Sequence, residues 1–226
     1  MGLLIARRGI LASGLVGEGD EPPPPDGVVA GTTTHYSSAS SHDVPLPNET
    51  ESGDVLIMFV RRWGGGTGLA AVTGWTTLRT QSSNGQSRLY VRVADGNEGA
   101  TVTVGTGGRG LSAVVHAVRG AEGSVEANSV AFSANPPSLS PSWGSDNALW
   151  VAGLALRMTD DIDPSITGTP DDYDDLTFVT GTTATNTAHV ATARRVLETA
   201  TQNPSTWSYT ANDSTPHAWT IAVRLA

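Results

Sequence analysis

The chain contains no cysteine and no lysine. Without cysteine there is no disulfide framework and no thiolate metal site, and redox chemistry says nothing about compartment. Without lysine, all 13 basic side chains are arginines, set against 22 acidic ones, for a formal net charge of −9. Such a surface lacks the usual means of neutralising phosphates, so nucleic acid is not expected as a partner. The same charge repels anionic lipid headgroups, and no run of 18 apolar residues exists to span a bilayer, so no membrane insertion is expected. Recognisable catalytic motifs are missing as well. There is no H-E-x-x-H, no G-x-S-x-G elbow, no P-loop and no dinucleotide fingerprint, and therefore no implied cofactor.

What the chain has is 26 glycines and long Ser/Thr-rich stretches, a composition of many turns and few helices. Its 226 residues suit one large β domain. Three segments are expected. Residues 1–20 carry Leu3, Leu4, Ile5, Ile10 and Leu11 around Arg7 and Arg8, interrupted by glycines that discourage a helix. Arg7–Arg8 loosely resembles a twin-arginine signal, but the apolar stretch is short and runs into Glu18, Asp20 and Glu21. This segment reads as an anchoring arm that orders against another subunit, since its aliphatic residues are a liability in water. Residues 21–27, EPPPPDG, read as a stiff polyproline spacer. Residues 28–226 are strands and turns. VLIMFV (55–60) reads as a strand buried on both faces. SRLYVRVADG, TVTV, LSAVVHAVRG, ALWVAGLAL, LTFVT, HVATARRV, TWSYT and AWTIAVRL follow as β-rich runs between turn residues.

Two of these runs are nearly the same. SAVVHAVR (112–119) and HAWTIAVR (217–224) end alike, and other segments align in the same order: SGDVLIMFV with SDNALWVAG, GWTTL with DYDDL, VRV with RRV, and TVTVG with TWSYT. The offset grows only in turn-rich gaps. Pseudo-repeats over about 52–120 and 145–226 are therefore expected to share one core as a single pseudo-symmetric β-sandwich. Val114, His116 and Val118 should point inward, like Trp219, Ile221 and Val223. The smaller face, Ala113, Val115 and Ala117 with their counterparts Ala218, Thr220 and Ala222, is expected toward solvent or a partner.

Candidate sites are sparse. His116 aligns with Ile221 and reads as a packed core histidine. His42 and Asp43 are adjacent on an extended chain and point to opposite sides. Asp160, Asp161 and Asp163 form one acidic cluster, and Asp171, Asp172, Asp174 and Asp175 another. Carboxylates so grouped are weak calcium candidates, can serve glycoside hydrolysis as a pair, or are simply solvated. Among the six tryptophans, Trp150 and Trp219 read as core, and Trp75 and Tyr173 as matching anchors after turns. Trp63 and Trp143 are freer and are candidate glycan or interface contacts.

SGDVLIMFV, GWTTL, LYVRVADGNEGATVTV and SAVVHAVRG together resemble a recurrent β-sandwich module in structural proteins of tailed bacteriophages. The likeness extends over roughly residues 28–226. The second half departs from the pattern, with Asp172-Tyr173 in place of Gly-Trp and no clear equivalent of the ADGNE turn. The resemblance implies a jelly-roll-like, non-enzymatic virion component with no catalytic residues to carry over. It would dock by its arm to capsid or tail proteins and self-associate, a trimer by precedent among such modules. A tail-tip or fibre adhesin for host surface glycan is the alternative.

Overall fold

The computed structural model describes residues 27–64, 68–83, 85–158, 164–179, 187–210 and 215–226. The expected arm (1–20) and residues 21–26 of the spacer lie outside them. No helix occurs among the described residues. Ten strands form two five-stranded antiparallel sheets. The first is ordered β1 (Val28–Pro45), β5 (Thr101–Val118), β2 (Val55–Trp63), β4 (Gly85–Val93), β3 (Thr76–Ser82). The second is ordered β6 (Ala121–Ala131), β12 (His217–Leu225), β7 (Asn147–Met158), β10 (Thr187–Glu198), β9 (Asp174–Phe178). A small ribbon pairs β8 (Ser165–Gly168) with β11 (Ser208–Thr210). The chain completes one large sheet before it starts the other.

The sheets face each other over a common apolar core. Val55, Ile57 and Phe59 of β2, with Val114 and Val118 of β5, meet Leu149 and Val151 of β7 and Trp219, Ile221 and Val223 of β12. Alternation along each strand puts these residues on one face. Phe59 and Trp219 meet edge to face, 5.2 Å between ring centroids. That contact leaves no room on the neighbouring strand: a Cβ on Gly153 would stand 2.9 Å from the Phe59 ring and 3.2 Å from Trp219 Cβ.

The outer faces are apolar as well, which corrects one expectation. Ala113, Val115 and Ala117 do not face solvent or a partner; they are fully buried, with Leu56, Met58 and Val60, beneath a lid supplied by the chain itself. Leu69, Val72 and Trp75 of the β2–β3 connection form part of that lid. The far halves of β1 and β5 supply Val44 and Val104, and Leu46 follows directly after β1. This ribbon folds back on itself. The Thr32 hydroxyl donates to the Pro45 carbonyl at 2.7 Å, 13 residues on, where a straight strand would separate them by about 43 Å. The bend falls at register shifts around Ala39, opposite Gly107 and Gly108, both at positive φ. On the second sheet Trp150, Ala152 and Leu154 are covered by Leu139, Tyr173 and Trp207, and Ala218, Thr220 and Ala222, expected at the surface, are likewise fully buried. Trp150 and Trp219 are thus both core, but in different cores.

The sheet edges carry their own protection. Arg79 Nε and Gln81 Nε2 of β3 donate across the sandwich to the carbonyls of Ala127 (2.8 Å) and Ser129 (3.0 Å) on edge strand β6. These bonds satisfy groups that would otherwise template pairing with another chain.

Gly153→Ala is expected to cost about 1–3 kcal/mol through overpacking. It should appear as a lower urea midpoint at unchanged slope. An unaltered midpoint would mean that Phe59 and Trp219 do not close over this position.

Candidate functional site

The segments that stand out in the sequence serve as joints. Gly53 turns the chain at positive φ and presents Asp54, whose buried carboxylate accepts from the Glu51 amide at 2.8 Å. Arg119, the last residue of SAVVHAVR, reaches both of its oxygens, from Nε and Nη2, at 3.2 Å each. The hydrogen bond to Asp54 raises the Arg119 pKa further above its ordinary value. Arg224, the last residue of HAWTIAVR, likewise meets Asp146 at 2.7 Å and Glu122 at 2.8 Å. The two similar strands therefore end in an arginine that grips an aspartate placed just before β2 or β7. ADGNE closes on itself: the Glu98 carboxylate accepts the Asp95 and Gly96 amides, and Asp95 Oδ1 accepts the Asn97 amide at 2.8 Å. That last bond holds the Asp95 carboxyl below its ordinary pKa. Trp75 and Tyr173 each follow a tight turn, with backbone bonds of 3.0 Å to Val72 and Pro170, and each is buried. Burial pushes the Tyr173 phenol up.

The closest approach to catalytic geometry lies between the sheets at one end of the sandwich. His217 is fully buried. Its Nδ1 accepts from the Ser87 hydroxyl at 2.6 Å and from Arg61 Nη1, and its Nε2–H donates to Ser83 Oγ at 2.6 Å. Arg61 Nη2 also donates to the Thr215 carbonyl at 3.2 Å. A serine hydroxyl on an imidazole nitrogen is the first half of a nucleophile–base pair. Here both residues are inaccessible, and Arg61 shares the same nitrogen. Burial first, then the Arg61 charge, lowers the His217 pKa to about 3. The imidazole stays neutral and joins β2 and β4 of one sheet to β12 of the other. The neighbouring Arg62, also buried, donates to the carbonyls of Thr106 (3.1 Å) and Gly64 (2.8 Å). Further bolts join β5 to β10: Ser112 Oγ donates to the Ala188 carbonyl, and His116 Nε2 lies 3.0 Å from Thr192 Oγ1. His189, buried on β10, bonds Thr187 Oγ1 (2.9 Å) and the Val179 carbonyl (3.2 Å).

Trp63 and Trp143 do not come together. Trp63 closes β2 at the His217 end and lies under the Arg109 guanidinium, 5.0 Å from the ring centroid. Trp143 packs on the outer core of the second sheet. It precedes the start of β7, which pairs with the Arg224 end of β12. Asp172 pairs with Arg195 (3.4 Å) and Asp175 with Arg194 (3.5 Å), while the Asp171 amide donates to Ser205 Oγ. Arg195 also sits over the Tyr173 ring. Asp174 is exposed. Among the described residues no three His, Asp or Glu side chains converge to hold a metal. Asp160, Asp161 and Asp163, like the arm residues Leu3, Leu4, Ile5, Arg7, Arg8, Ile10 and Leu11, lie outside the described residues.

A cleft of about 540 Å³ opens where the β3–β4 edge of the first sheet approaches β6, lined by Leu78, Val91, Val93, Asp95 and Val125 among others. Sequence reading missed it. It also missed the Arg61–His217 cluster, whose members are 156 residues apart and share no motif.

Arg119→Ala leaves the buried Asp54 carboxylate without its arginine and should cost about 1–3 kcal/mol. Arg224→Ala frees carboxylates that are 40% exposed and should cost less than about 1 kcal/mol. Equal losses on urea unfolding would refute the contrast. His217 binds its proton more weakly folded than unfolded, so its contribution is complete above about pH 6.5 and is lost as pH falls toward about 3. Within that window stability should decline by up to about 1.4 kcal/mol per pH unit more in the wild type than in His217→Asn. Parallel pH profiles for the two would contradict the buried neutral imidazole.

Compared with known proteins, the chain matches no family model, no curated protein and no solved structure.

Proposed function

We propose that the chain is a non-enzymatic structural component of a tailed-phage virion. In this reading it docks on capsid or tail proteins through its N-terminal arm, self-associates, and displays the sandwich on the particle surface. The observation that carries the reading is the use made of the segments that resemble the phage module. Gly53-Asp54, Gly74-Trp75, Ala94–Glu98 and Arg119 serve as turns, anchors and braces. His42, His116, His189 and His217 are all buried, with side chains engaged in internal hydrogen bonds. Such construction suits a part whose work is mechanical.

The finer architecture belongs to the same proposal. Matching β1, β5, β2, β4 and β3 with β6, β12, β7, β10 and β9 makes the two strand orders identical. Val102 and Val104 of TVTVG cover the outer face of the first sheet, as Trp207 and Tyr209 of TWSYT cover the second. Both facts support a duplicated unit. The jelly-roll-like description is taken in this sense, as two similar halves closing on one core.

The adhesin alternative has one observation in its favour. Gly27, where the described chain starts, bonds Arg119 at one end of the sandwich. At the other end stand the Trp63–Arg109 stack and Phe132, an aromatic 63% exposed and held at φ 59°. A bulky residue at positive φ is strained, and such strain concentrates at functional sites. A domain tethered by its N-terminus would present this end outward.

Immunogold labelling of purified phage particles with antibody to residues 28–226 is expected to decorate the particle. Label over the head shell supports a capsid role, and label at the tail tip supports the adhesin. Particles of the producing phage that carry no label would sink both readings.

A further inference from the structure

Three of the four edges of the large sheets are guarded. β3 and β6 are bonded to each other by Arg79 and Gln81. β9 is five residues long, opens on Asp174-Asp175 and holds Asp175 at φ 49°. The fourth edge is β1, which ends the first sheet beyond β5. It has no proline before Pro45, and no aspartate, glutamate or arginine from Val28 to His42. Gly31 and Thr33 are exposed. A long, uncharged edge of this kind is a template for pairing with another chain.

The register shows which backbone groups are offered. The Arg119 amide bonds the Gly27 carbonyl at 2.7 Å, so Arg119 directs its backbone toward β1. Successive residues of an antiparallel strand turn to alternate sides. Ala117, Val115 and Ala113 therefore also turn to β1, whereas His116, Val114 and Ser112 turn to β2. Gly31, Thr33 and His35 stand opposite His116, Val114 and Ser112. Their N–H and C=O groups point away from β5, out of the sheet. We propose that two copies of the chain pair antiparallel through these groups, with the two-fold axis at Thr33. Each Thr33 then bonds its counterpart, and Gly31 of each copy bonds His35 of the other, for about six backbone hydrogen bonds in all.

Charge and closure select a second copy as the partner. Antiparallel self-pairing sets every residue near the axis against its own kind, and like charges directly opposite are destabilising. β1 alone among the edges meets that condition: β3 carries Arg79, β6 carries Glu122 and Glu126, and β9 its two aspartates. The same guards exclude those edges of a second copy as partners for β1. Thr32, Thr33 and Thr34 are β-branched and suit a strand between two others. A two-fold pairing consumes both free edges, so assembly stops at the dimer.

This pairing names a surface for the self-association in the virion reading, and in that respect rests on it. The edge argument itself makes no use of the phage resemblance. A failed pairing would leave the labelling of particles to decide the virion reading separately.

Sedimentation velocity on the full chain, up to about 100 µM, tests the proposal; a Kd of about 10 µM would leave most of the protein dimeric there. The wild type is expected to pass from monomer to dimer over this range. Thr33→Pro removes an N–H that makes no bond within the chain and should weaken the dimer at least about tenfold. Thr33→Asp and Thr33→Arg should each do the same by placing like charges across the axis, and an equal mixture of these two should dimerise again. A wild type that stays monomeric throughout, or that forms a trimer, overturns the pairing. So does dimerisation that all three variants leave intact, or a mixture of the charged variants that stays monomeric while each folds as the wild type does.

Discussion

Each large sheet is apolar on both faces, and the rest of the structure follows from that constraint. Antiparallel sheets commonly leave one face to solvent. Here the six residues of VLIMFV are all buried, three in the central core and three in the outer one. A side chain of this kind gains about 1.5–3 kcal/mol on full burial, so a bare outer face would forfeit much of the stability available. The other sheet covers one face. Only the chain's own connections are left to cover the other. Hence the β1–β5 ribbon is long enough to fold back, the β2–β3 and β6–β7 connections carry Leu69, Val72 and Leu139, and Trp207 lies over the second sheet.

Polar bolts determine how these layers meet. Apolar packing alone tolerates sliding, whereas a buried donor or acceptor left unpaired is costly and pins the register. Ser112 and His116 fasten β5 to β10, and the Arg61–His217–Ser83–Ser87 cluster fastens the end. Arg119 and Arg224 brace the opposite end, where β5 and β12 finish. Histidine and serine, which elsewhere would suggest chemistry, are used here as fasteners. The groups left at the surface at the two ends differ in kind. Carboxylates and an apolar cleft lie near the point where the described chain begins, and aromatic side chains lie at the far end.

What the sequence by itself determined was local. Alternation and turn residues sufficed for an all-β chain, for β7 as a strand despite its helix-like composition, and for the inward face of β5 and β12. Gly53-Asp54, Gly74-Trp75 and Ala94–Glu98 were legible as turns because their bonds close within a few residues. Tertiary structure alone decided which faces saw water. Ala113, Val115 and Ala117 look like a surface face by size, yet the lid that buries them comes from residues as distant as Val44 and Leu69. It alone decided the partners of Arg61 and His217, and the pairing of Asp172 and Asp175 with Arg195 and Arg194. Periodicity records which residues share a face. It holds no record of what lies across from that face, because contacts between sheets are made by segments dozens to more than a hundred residues apart.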